Sequence, residues 1–127
     1  MADYFVSGLA RRTFVFQLMD TGQDIVEERM IIRTGSREAD INRYVEEMIL
    51  GPFSLEAEPF LDRGAKLESV LLRDAGIFLD FSEEATIPPP VGRMADKFKV
   101  LSANIRLNFC FVKDICIFIA GQETGFF

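Results

Sequence analysis

The stretch Gly64–Ala85, GAKLESVLLRDAGIFLDFSEEA, decides how the rest of the chain is read. Leu67 to Arg73 and Ile77 to Ser82 are apolar runs, and Asp74-Ala75-Gly76 separates them. A short loop with Asp and then Gly predicts a hairpin, because glycine tolerates positive φ. Side chains alternate along a strand. Ile77, Leu79 and Phe81 therefore share one face of the second strand, and Phe78, Asp80 and Ser82 share the other. Asp80 raises the functional question. A carboxylate among Phe78, Leu79 and Phe81 could carry a raised pKa and act as acid or base. Alternatively, Asp80 and Ser82 accept backbone N–H bonds where the strand ends and fix the exit turn.

The chain of 127 residues is long enough for one domain with its own core. With 49% hydrophobic and 27% charged residues it is globular rather than disordered. Thirteen Phe and no Trp make Phe the main source of core volume. A formal net charge of −6 argues against nucleic acid and anionic membrane surfaces as partners. The absence of histidine excludes Ser-His-Asp and Cys-His catalysis and any histidine metal ligand. The longest apolar run, Ile115 to Ala120, is far short of the ~20 residues that span a bilayer, so no direct membrane insertion is expected. The first residues, MADYFVSGLARRTF, lack the pattern of a secretory signal. Cys110 and Cys116 lie about 20 Å apart if both sit in one extended segment, too far for a disulfide. They are read as buried small apolar residues.

Outward from the hairpin, residues 1–12 read as a loose arm, 13–121 as a single domain and 122–127 as a tail. Thr13 to Met19 and Val26 to Arg33 read as strands around the turn Asp20–Asp24. Arg37 to Leu50 is amphipathic at helical spacing through Ile41, Tyr44, Val45, Met48 and Ile49. Ser36 is its expected N-cap, and Gly51-Pro52 its stop. Phe53 to Arg63 is a connection, pinned to the core by Phe53, Leu55, Phe60 and Leu61. Ile87-Pro88-Pro89-Pro90 is a stiff spacer. A second helix runs from about Arg93 to Asn108, with Met94, Phe98, Leu101 and Ile105 on one side. Val112 to Ala120 is a last, central strand, ended by Gly121. The order β-β-α-β-β-α-β predicts an α/β (α+β) two-layer sandwich, a mixed sheet with both helices on one face.

Three patches in this order resemble the GerMN domain, a module of sporulation and germination proteins. They are YVEEMILGP (Tyr44–Pro52), the stretch Gly64–Ser82, and VLSANIRLNF (Val100–Phe109) with VKDICIFIAG (Val112–Gly121). The resemblance covers most of Thr13 to Gly121. The prolines at 88–90, the junction before Arg37, and both cysteines depart from it. It implies structural motif positions at Gly51, Pro52, Gly64, Gly76, Asp80, Ser82 and Gly121. It also implies an extracytoplasmic, lipid- or membrane-anchored module of bacterial envelope complexes, as in LpqB-type lipoproteins, without catalytic activity. Its partners are then other envelope proteins or a second copy of the chain. An anchor segment preceding Met1 in the gene would place the chain outside the cytoplasm; Met1 as the true start would place it inside.

Other chemistry is weaker. Glu83 and Glu84 follow Asp80, and paired carboxylates hydrolyse glycosides, but both should be solvated. Asp20, Asp24, Glu27 and Glu28 do not match a calcium loop, and two of them lie on a strand. No cofactor, metal site or catalytic residue is expected. Phe53, Phe60, Phe126 and Phe127, outside regular elements, are the candidate contact residues. The expected function is a non-catalytic interaction or scaffold module. The alternatives are a carboxylate-dependent hydrolase centred on Asp80 and a small-ligand-binding domain with a preformed apolar cavity.

Overall fold

The structure is a computed structural model that describes residues 8–62, 64–87 and 94–127, with only the backbone at residues 94 and 95. The proline spacer at 88–90 lies outside the described residues, as does most of the N-terminal arm.

The first strand, β1, spans Leu9–Leu18 and pairs antiparallel with β2, Asp24–Ile32, in unbroken register from Leu9↔Ile32 to Gln17↔Asp24. The strand thus starts before Thr13. Leu9–Arg12, read as part of a loose arm, are held by β2, and the Arg12 guanidinium stacks 4.3 Å over the Phe109 ring. Helix α1 covers Arg37–Leu50 as predicted, burying Ile41, Tyr44, Val45, Met48 and Ile49. Ser36 Oγ accepts the Ala39 N–H at its start. At its end Gly51, at φ 90°, donates its N–H to Met48 O at 3.1 Å.

The connection after α1 contains a two-residue strand, β3 (Ala57–Glu58), which pairs with Gln17 and Leu18 of β1. Phe60 and Leu61 enter the core, but Phe53 and Leu55 do not: they are 73% and 91% exposed. The hairpin consists of β4 (Leu67–Arg73) and β5 (Gly76–Phe81). Its turn departs from expectation. The left-handed residue is Asp74, at φ 55°, while Gly76 already pairs with Arg73 as the first residue of β5. A 3₁₀ turn, Glu83–Thr86, follows. Helix α2 spans Met94–Asn108 and buries Phe98, Leu101 and Ile105. β6 is Asp114–Ile119. The tail is itself a strand: β7, Gln122–Phe126, pairs antiparallel with β6.

The strands form two hydrogen-bonded sheets. Sheet A has the order β2-β1-β3 and sheet B the order β4-β5-β6-β7. β5 and β6 run parallel, with α2 in the crossover between them, and β6 is central as expected. The result is an α+β sandwich. One core joins the inner faces of both sheets to the two helices, built on stacked aromatics: Phe14–Tyr44 at 4.5 Å and Phe81–Phe98 at 6.1 Å. Helix α2 also lies along the edge of β1, where Asn104 and Asn108 bond the backbone of Val15 and Thr13. A buried ion pair, Lys97 Nζ to Glu58 Oε2 at 2.7 Å, ties α2 to β3.

Candidate interaction surface

The inner face of sheet B is filled by Ile77, Leu79, Phe81, Ile115 and Ile117, all buried. The register then fixes what lies on the outer face. Leu71 of β4 is opposite Phe78 of β5, Phe78 opposite Cys116 of β6, and Cys116 opposite Phe126 of β7. These make one apolar row across all four strands. The next row is Ser69, Asp80, Phe118 and Glu123. Phe126 is 67% and Leu71 44% exposed, whereas Cys116 is buried between its aromatic neighbours. Leu71, Phe78, Asp80 and Phe118 line a shallow groove of about 330 Å³ that ends at Gly121.

Asp80 stands in this groove as the only carboxylate among its lining residues. Its Oδ1 accepts the Gly121 N–H at 3.1 Å. Ala120 and Gly121 both have positive φ, 52° and 80°, and form the two-residue connection between β6 and β7. Asp80 therefore holds the turn that returns the chain as β7. Ser82 acts likewise two residues on, at the same open end of the hairpin: its Oγ accepts the Lys66 N–H at 2.8 Å, and its own N–H donates to Lys66 O at 2.8 Å. Both expected backbone contacts exist. Glu83 and Glu84 are exposed on the 3₁₀ turn and do not line the groove. The groove is open, and Asp80 is the one carboxylate among the described residues that line it.

The other motif positions divide into two places. Gly64 donates its N–H to Asp62 Oδ2 at 2.8 Å, so close that a Cβ on it would come within 2.9 Å of that oxygen. Gly51 and Phe53, on either side of Pro52, meet Arg29. The Arg29 Nη2 donates to Gly51 O and pairs with Glu27 Oε1, each at 2.7 Å, and the guanidinium lies 3.9 Å from the Phe53 ring centroid. Glu27 in turn accepts the Phe53 and Ser54 N–H groups. Burial pushes the Glu27 carboxyl up, but Arg29 and these N–H groups outweigh it and hold it below the ordinary glutamate value. The loop is thus a structural knot, with Phe53 lying as a lid on a buried cation.

The four phenylalanines separate by role. Phe60 is 2% exposed and belongs to the core, which removes it from any contact surface. Phe127 turns inward, 5.6 Å from Phe98, and Arg106 Nη2 donates to its carbonyl. Phe53 and Phe126 remain exposed. Leu71, Phe78 and Phe118 were not singled out from sequence, although the period-2 alternation already put Phe78 beside Asp80. Cys110 was read as buried but is exposed; both cysteines are free. No described cluster of His, Cys, Asp and Glu could hold a metal ion, and Glu27 and Glu28 point to opposite faces of β2.

The element order and the two sheets make an α+β module, and its likeness to solved structures shows a GerMN-like fold. Solved structures place it more closely. The chain is similar to the tandem GerMN domains of the sporulation protein GerM from Bacillus subtilis, with a TM-score of 0.65 and 15% identity over 90% of this chain and 40% of that one. It is similar to the first GerMN domain of the same protein, with a TM-score of 0.62 and 15% identity over 87% of this chain and 84% of that one. A protein from Clostridium perfringens described as a lipoprotein matches with a TM-score of 0.58 and 22% identity over 91% of this chain and 77% of that one. No family model matches the sequence, and no curated protein matches it.

Proposed function

We propose that this chain is a non-catalytic interaction module of a cell-envelope assembly, and that the outer face of sheet B is its contact surface. The carrying observation is the apolar row Leu71, Phe78, Cys116 and Phe126, exposed at Leu71 and Phe126 among the described residues, on a GerMN-like fold. Exposed apolar side chains gathered on one sheet face are a feature of association surfaces. The neighbours support the location: one is a sporulation protein and another is described as a lipoprotein. The open groove at Asp80 supports contact with a macromolecule rather than an enclosed reaction.

A photo-reactive amino acid at position 71, in the gene's full reading frame in its native host, tests this reading. Cell fractionation should place the protein with the envelope, and irradiation should link it to an envelope protein. Recovery in the cytosol with no cross-link at position 71 would overturn the proposal.

A further inference from the structure

The outer face of sheet B carries charge as well as apolar surface. Asp80 and Glu123 lie in the row beside Leu71, Phe78 and Phe126, and Asp114 begins β6 on the opposite flank, next to Gly76. Arg73 is the one cation that the register places on this face among the described residues. Gly121 engages one oxygen of Asp80. A carboxylate accepts up to about four hydrogen bonds, so Asp80 retains capacity toward a ligand.

Shape adds a second constraint. Cys116, 3% exposed, is covered between Phe78 and Phe126, and the open apolar groove lies beside it, lined by Leu71, Phe78 and Phe118 with Asp80 among them. At a strand spacing of about 4.8 Å the row extends about 14 Å from Leu71 to Phe126. That length accommodates a short extended segment that sets an aliphatic side chain in the groove between Leu71, Phe78 and Phe118.

We infer that this face takes an apolar segment of a partner protein that carries lysine or arginine beside its aliphatic residues. The inference rests on the proposed role of the face as a contact surface and adds the chemistry of the occupant. A second copy of the chain fits poorly, because pairing the face with itself sets Asp80, Asp114 and Glu123 against an equally acidic face on which Arg73 is the one cation among the described residues. An anionic bilayer fits poorly too, for a chain with net charge −6.

The test uses the full chain, two synthetic ten-residue peptides of alternating Leu-Lys and alternating Leu-Glu, and amide shifts mapped by NMR. The Leu-Lys peptide should bind and move resonances of Leu71, Phe78, Phe118 and Phe126; the Leu-Glu peptide should not. The double variant Asp80→Asn/Glu123→Gln should weaken binding about tenfold, as expected for two screened charge contacts. Asparagine keeps an acceptor for the Gly121 N–H, so this variant retains the turn. Phe126→Ser should weaken binding comparably. Equal binding of both peptides, shifts confined to sheet A, or no effect of the double variant would overturn the inference. If position 71 still cross-links to an envelope protein in that event, the contact surface stands and only the cationic occupant fails.

Discussion

Asn104 stands beside Val15 as a neighbouring strand would. Its Oδ1 accepts the Val15 N–H at 2.7 Å, and its Nδ2 donates to the Val15 carbonyl at 3.0 Å. One turn later Asn108 repeats the pattern on Thr13, at 2.8 Å and 2.7 Å. Two side-chain amides, four residues apart on one helix face, thus close the part of the β1 edge that β3 leaves open. Tyr44 joins them through its hydroxyl, which donates to Thr13 O at 2.7 Å.

Asn104→Ala should destabilise the protein by about 2–4 kcal/mol, since it strands a backbone N–H and C=O at the edge of the core. The melting temperature should fall by roughly 10 °C. The opened edge should also promote association, visible as a concentration-dependent rise in mass by light scattering. A loss under about 1 kcal/mol would show that water replaces the amide.

The Lys97–Glu58 pair is buried on both sides. Glu58→Gln should cost about 3–5 kcal/mol by leaving the ammonium without its counter-charge, whereas Lys97→Met/Glu58→Leu should recover most of that. Urea unfolding of both single variants and the double variant checks this. Additive losses would mean the two charges do not act as a pair.

Ala120 and Gly121 should respond in opposite directions. Ala120→Gly relieves a left-handed alanine and should stabilise by about 0.5–1 kcal/mol. Gly121→Ala, at φ 80° with open space around it, should destabilise by about 1 kcal/mol through backbone strain alone. Thermal melts of both variants decide the matter; a neutral Gly121→Ala would contradict the turn geometry.

Glu27 makes stability depend on acid. Its folded value lies below the ordinary 4.5, so the unfolded chain binds more protons through that window. The contribution is complete above about pH 5 and is lost as pH falls through the folded value. Glu27→Gln should therefore lower stability at pH 7 and flatten its decline between about pH 5 and pH 3. Parallel pH profiles for wild type and variant would remove Glu27 as a source of the decline.

Local chemistry explains what could be read in advance. Helix α1 is legible because Ser36, five apolar positions and Gly51-Pro52 all agree. The β4–β5 hairpin is legible for the same reason, and with it the backbone role of Asp80. β3 and β7 are not. Ala57–Glu58 is a strand only because β1 offers partners, and GQETGFF is too short and polar to show a period before β6 pairs with it. The Arg29 knot and the Lys97–Glu58 pair join elements distant in the chain, which no local pattern encodes. The outer face of sheet B was half visible: Phe78 and Asp80 share a strand, but Leu71, Phe118 and Phe126 join them only through the register.

The parallel pairing of β5 with β6 shapes how the protein emerges during synthesis. Leu79 meets Ile117, 38 positions later (117 − 79), so the hairpin is synthesised before its neighbour exists. Until then Ile77, Leu79 and Phe81 have a strand partner on one side only, and α2 must be translated before the other side closes. A chain released before Asp114 is added would present a greasy half-sheet to holdases.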